Sequence, residues 1–179
     1  ITGDVRANEV TLWMYAPAKS GGSVSYRPEG TSKAENKTSK LNAISDQAAK
    51  VPGQIFKSTI DSLAPATRYQ YQVTIDGKTD PKWKGSFKTA PLEGTPTAFR
   101  MAITSCMKIG KPQGSWNILL EEQPDLHLTV GDTHYADTTN PTVQLEHHLT
   151  YRREKEFAKV LQQVPTYAIW DDHDYGPNN

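Results

Sequence analysis

Three polar clusters stand where short apolar runs end: Thr104-Ser105-Cys106, Gly131-Asp132-Thr133-His134-Tyr135 and Asp171-Asp172-His173-Asp174. Carboxylates, a thiol, a phenol and imidazoles suit a hard or borderline cation such as iron or zinc. Two such ions a few ångström apart could clamp the attacking and leaving oxygens of a phosphoryl displacement. The last cluster is the strongest signal, because acidic clustering after an apolar run is costly unless a cation compensates it. Gly131-Asp132 alone also reads as a turn, and a lone cysteine without context reads as an inert buried side chain.

The elements that must position these clusters alternate. Phe99 to Ile103 is a short apolar strand, and Gly114 to Gln123 is helical, with Trp116, Leu119 and Leu120 near one face. Leu126 to Val130 is a second strand. Val143 to Gln163 reads as one long amphipathic helix, with Leu145, Leu149, Phe157, Val160 and Leu161 at its apolar positions, ended by Pro165. Thr166 to Trp170 is a third strand. Strands alternating with helices predict β-α-β units and a largely parallel sheet, whose ligands gather at the carboxyl ends of its strands. All three clusters fall at such ends. The segment after Trp170 reads as extended or turn, where the adjacent Asp172 and His173 point in different directions.

The first 90 residues read differently. Val10, Leu12 and Met14 alternate with Thr11, Trp13 and Tyr15, the period-2 pattern of a strand with two faces. Val24 to Tyr26 and Ile55 to Ile60 read as further short strands. Tyr69 to Ile75 is the clearest strand, and Asp76-Gly77 then signals a hairpin returning through Trp83, Gly85 and Phe87. Lys33 to Lys40 mixes Glu35 with lysines among Ser, Thr and Asn and reads as a solvated loop. Ala90 to Pro96 is a Pro/Gly-punctuated linker.

Composition narrows the classes. In 179 residues Lys+Arg and Asp+Glu balance at 20 each, without the basic excess of a nucleic-acid-binding surface. No apolar run approaches a membrane span. The one cysteine excludes an internal disulfide.

Leu63-Ala64-Pro65-Ala66-Thr67-Arg68-Tyr69-Gln70-Tyr71 resembles the L-x-P-x-T-x-Y-x-Y signature of fibronectin type III modules, which implies core packing for the tyrosines and no catalysis. Residues 99–179 resemble the metallophosphoesterase superfamily and, more closely, its alkaline phosphatase D (PhoD-like) family. The matching motifs are Ser105-Cys106, Gly131-Asp132 with Tyr135, and Trp170-Asp171-Asp172-His173-Asp174 with Asn178-Asn179. The amino-terminal sandwich fits that family's arrangement too.

The resemblance implies that Asp132 bridges metals, that Cys106 and Tyr135 bind a ferric ion, and that Asp172 is a further ligand. It implies that His173 stabilises or protonates the leaving group, and that Asn179 serves a second, calcium-type site. The expected cofactors are therefore iron and calcium, and the expected substrate a phosphate ester. The expected location is extracellular or periplasmic.

The expected architecture is a β-sandwich over 1–90, a linker over 91–98 and the first part of an α/β metallophosphoesterase domain over 99–179. The superfamily takes further ligands from later motifs, so residues 1–179 by themselves are expected to be inactive, lacking the C-terminal part of the same polypeptide. A rival expectation is a non-catalytic surface- or carbohydrate-binding module carrying a phosphoesterase remnant. The remaining polar residues are given lesser roles. His134 lines the pocket, and His127 is a satisfied core or edge histidine. His147 and His148 lie on a solvated helix face, and Lys108, Lys111, Arg152 and Arg153 are solvated charges.

Overall fold

The computed structural model describes residues 1–16, 21–44 and 51–177. It forms two compact units, one made of residues that precede Phe99 and one of the chain from Phe99 onward. Asn178 and Asn179, and with them the expected calcium-type ligand, lie outside the described residues.

The first unit is antiparallel. Its strands are β1 (Thr2–Gly3), β2 (Val10–Ala16), β3 (Gly22–Pro28), β4 (Lys37–Ala43), β5 (Gln54–Ile60), β6 (Arg68–Ile75) and β7 (Lys78–Lys88). They run in the order β1-β2-β5-β4-β3-β6-β7. β4 joins the two layers of the sandwich: Lys37–Leu41 pair with β3, and Asn42 and Ala43 pair with β5.

Alternation along β6 buries Tyr69, Tyr71, Val73 and Ile75 against Val24, Leu41, Phe56 and Phe87, as the period-2 pattern predicts. The Tyr69 hydroxyl accepts the Ala64 N–H at 2.9 Å, pinning the corner that the Leu63–Tyr71 signature marks. Asp76 (φ 50°) and Gly77 (φ 72°) both take left-handed backbone, the geometry of a type I′ hairpin.

The solvated-loop reading of Lys33 to Lys40 is corrected. Lys33–Glu35 form a single 3-10 turn, and β4 begins at Lys37. Only Leu41 of β4 is buried, so the strand is held by backbone pairing and carries almost no apolar alternation.

The second unit contains β8 (Met101–Thr104), α1 (Ser115–Glu121), β9 (Leu126–Val130), α2 (Pro141–Arg152), α3 (Lys155–Gln163), β10 (Thr166–Ile169) and α4 (Asp172–Tyr175). β8 and β10 flank β9 in parallel, with Thr104 opposite Thr129 and Ile169 opposite Val130. All three strands therefore end on the same edge. The helices cover one face of the sheet, where Trp116, Tyr151 and Phe157 stack at ring separations of 4.6 Å. On the other face Met101, Ile103, Tyr167 and Ile169 are exposed.

The long helix is also corrected. It breaks at Arg153 and Glu154, where the Glu154 carboxylate caps α3 by accepting the N–H groups of Glu156 (2.9 Å) and Phe157 (2.8 Å). His127, fully buried beneath the helices, pairs with Thr104 Oγ1 (2.9 Å) and Thr166 Oγ1 (3.4 Å), the satisfied core histidine the sequence predicts.

Candidate metal centre

The three polar clusters meet at the carboxyl end of the β8-β9-β10 sheet. Donor atoms of Asp132, Asp172 and His173 lie within 4.8 Å of one another. Asp132 Oδ2 also lies 3.6 Å from Cys106 Sγ and 3.4 Å from the Tyr135 hydroxyl. Every expected site residue within the described chain is thus brought together. Cys106 is exposed, which removes the inert-core alternative.

The local backbone is unusual. Cys106 (φ 55°), Asp132 (φ 53°) and Tyr135 (φ 47°) all occupy the left-handed region, which non-glycine residues seldom enter and which clusters at functional sites. Gly131 makes the approach of the segments possible. Its φ is +88°, and a Cβ there would stand 2.4 Å from Asp171 Cβ.

The segment after β10 is not extended. Asp171 caps the short helix α4, accepting the Asp172 N–H at 2.9 Å, so Asp172 and His173 separate by helical rotation. The acidic cluster is also less dependent on a cation than its charge suggests. Asp174 is buried and accepts the N–H groups of Thr133 (2.8 Å), His134 (3.1 Å) and Asp171 (3.2 Å). Burial opposes ionisation of Asp174, but these hydrogen bonds prevail and hold its carboxyl below the usual range. Of this cluster, Asp172 and His173 are the residues whose donor atoms group with those of Asp132.

His173 Nδ1 is hydrogen-bonded to the Asp137 carboxylate. That bond, above all, raises the imidazole above its ordinary value. Its ring also lies 4.6 Å from that of Tyr135, whose other neighbours include the Lys108 ammonium, 4.8 Å from the ring centroid. Burial and the proximity of Cys106 and Asp132 push the Tyr135 phenol up, so a phenolate there needs a compensating cation.

Asp137 does not enter the sequence reading, and Asp174 enters it only as a member of the acidic cluster with no role of its own, although both organise the site. Asp171-x-x-Asp174 has capping-box spacing, which could have identified Asp174 as an anchor. Nothing local marks Asp137, which depends on a fold-level juxtaposition.

The lesser assignments divide. His147 is exposed, but His148 is largely buried, and burial pushes its imidazole well down. Arg152 is corrected from a solvated charge to a largely buried one. Its Nη1 stands 2.7 Å from His148 Nδ1, and desolvation lowers its value to about 10. His134 and Tyr135 do line a cleft of about 230 Å³ with Lys108, Ile109, His147 and Thr150.

The donor set fits a cation on a further ground: Asp132 Oδ1 is buried and has no hydrogen-bond partner among the described residues. An orphaned carboxylate oxygen is costly in a protein interior, and an ion would satisfy it.

The arrangement of an antiparallel sandwich followed by a parallel α/β segment recurs in solved structures. The solved structure of PhoD superposes with a TM-score of 0.75 at 18% identity, over 96% of this chain and 38% of PhoD. Purple acid phosphatase PPD1 from yellow lupin (Lupinus luteus) seeds superposes with a TM-score of 0.72 at 16% identity, over 95% of this chain and 34% of its own. The chain thus spans less than two-fifths of the length of either, and at such identities the likeness establishes the fold. No protein-family model matches the sequence, and no curated protein does.

Proposed function

We propose that this chain forms part of a metal-dependent hydrolase of phosphoric esters. The observation that carries the reading is the convergence of Asp132, Asp172 and His173 within 4.8 Å, with Cys106 and Tyr135 against the Asp132 carboxylate. Asp132 would bridge, with Cys106 and Tyr135 on an iron side and Asp172 as a further ligand. Asn179 would serve calcium.

A bound metal would supply positive charge to the oxygens of the transferring phosphoryl group and polarise water for attack. The chain's own residues do the rest. Asp137 engages His173 Nδ1 and favours the protonated ring, in which Nε2 is the nitrogen able to donate to the leaving-group oxygen. Gly131 admits Asp171 close to the end of β9 and so lets α4 present Asp172 and His173 beside Asp132.

The reading includes the organisation expected from sequence: a sandwich over 1–90 that folds on its own, a linker over 91–98, and the opening part of the α/β domain over 99–179. Further polypeptide would supply the remaining ligands and cover the exposed face of Met101, Ile103, Tyr167 and Ile169. The protein would act extracellularly or in a periplasm. Among the described residues no helix is long and apolar enough to cross a membrane.

The test is metal analysis together with hydrolysis of an aryl phosphodiester. Residues 1–179 alone should stay at the level of free metal, whereas the chain extended by its missing ligands should retain iron and turn over. An extended protein that binds no metal would overturn the reading.

A further inference from the structure

Two of the residues proposed to hold the cation, Asp132 and Asp172, come from distant segments, the turn after β9 and the helix α4. One buried carboxylate ties these segments together. Asp174, 6% exposed, accepts Thr133 N–H at 2.8 Å, His134 N–H at 3.1 Å and the Thr133 hydroxyl at 3.2 Å through Oδ1. Its Oδ2 accepts the Asp171 N–H at 3.2 Å. Thr133 follows Asp132 directly, and Asp171 precedes Asp172 directly. The backbone on the inner side of each carboxylate is therefore anchored to the same side chain.

A row of largely buried groups continues behind this anchor. His134 Nδ1 lies 3.7 Å from Asp174 Oδ1, the His134 and His148 rings are 5.5 Å apart, and His148 meets Arg152 Nη1 at 2.7 Å. Burial favours the neutral form of both histidines.

We propose that Asp174 is a positioning residue for the metal centre: it fixes the spacing of Asp132 and Asp172 without touching the cation. Partners of this kind orient first-contact ligands, and their loss typically weakens metal binding about 10- to 100-fold. The proposal rests on the reading that Asp132 and Asp172 bind a cation.

Cobalt(II) titration of the purified protein, followed by calorimetry and visible absorption, separates the two ideas. The titration uses the chain extended by its remaining ligands, and if that unmodified protein binds no cobalt, the metal reading itself fails. If it binds, Asp174→Asn should weaken the affinity about 10- to 100-fold, because the amide sets an NH2 group against backbone donors. In an Asp172→Ala background the same change should cost little more, since only one of the two ligands is left to align. A purely structural role would instead lower the melting temperature and weaken cobalt binding equally in both backgrounds, and that result would overturn the proposal, as would an unchanged affinity. Should Asp174→Asn not fold, Thr133→Ala removes the hydroxyl bond and keeps the three backbone bonds. A measurable loss of cobalt affinity in that variant supports the positioning role, and wild-type affinity rejects it.

Discussion

Cys106 Sγ lies 3.6 Å from Asp132 Oδ2, although the two residues end different strands. The parallel register of β8 with β9 sets this approach, and the left-handed turns at both residues complete it. In the metal-loaded protein Cys106→Ser should lower iron retention and turnover together. A thiolate and a phenolate on ferric iron would also give a visible charge-transfer band, which this variant should weaken. Unchanged iron content with unchanged turnover would exclude Cys106 as a ligand.

Asp172 and His173 are neighbours on α4, yet their expected roles differ. Asp172→Ala should lose metal, and excess cation should restore part of the activity. His173→Ala should keep metal and lose turnover by roughly a hundredfold or more, the usual scale of general-acid help. The loss should be smallest for substrates whose leaving group needs no proton. Equal metal loss in both variants, without leaving-group dependence, would make His173 a ligand.

The Asp137 carboxylate raises His173, so Asp137→Asn should lower it. NMR titration of the metal-free protein reads this directly. The sign follows from linkage: a raised imidazole stabilises the fold at pH below its unfolded value of about 6.5, and that contribution fades as pH rises through the folded value. In the variant this contribution should be smaller and should be gone at a lower pH. An unmoved His173 titration would show that the Asp137 contact is incidental.

His127 works in the opposite direction. Burial pushes it down to about 4. Below pH of about 6.5 the unfolded chain takes up a proton that the folded one refuses, so stability should fall until about pH 4, by up to about 3 kcal/mol. Denaturant unfolding at a series of pH values measures this, and His127→Gln should flatten the slope over that window. An identical slope in the variant would assign the acid sensitivity elsewhere.

How far the sequence could be read depends on where each signal resides. β6 alternates cleanly because one face packs the sandwich and the other meets solvent, and the three polar strand ends stand out for their chemistry. β4 is invisible because its neighbours on both sides supply backbone partners while its side chains remain mostly exposed. The break between α2 and α3 is hidden because apolar spacing continues across it, with Glu154 in a capping role usually taken by shorter side chains. Arg152 and His148 read as surface groups since polar residues on helices generally are. Their burial depends on how α2 packs over the turn holding His134.

The left-handed conformations of Cys106, Asp132 and Tyr135 have a consequence for how this surface would drift or be redesigned. Each side chain sits where glycine or asparagine would rest more easily, at a cost on the order of 1 kcal/mol or more. A lineage selected only for a durable scaffold would exchange these three positions early, and gain thermal tolerance by doing so. Their joint retention in any variant pool screened for heat resistance would therefore report selection for chemistry, and their joint replacement would report its loss.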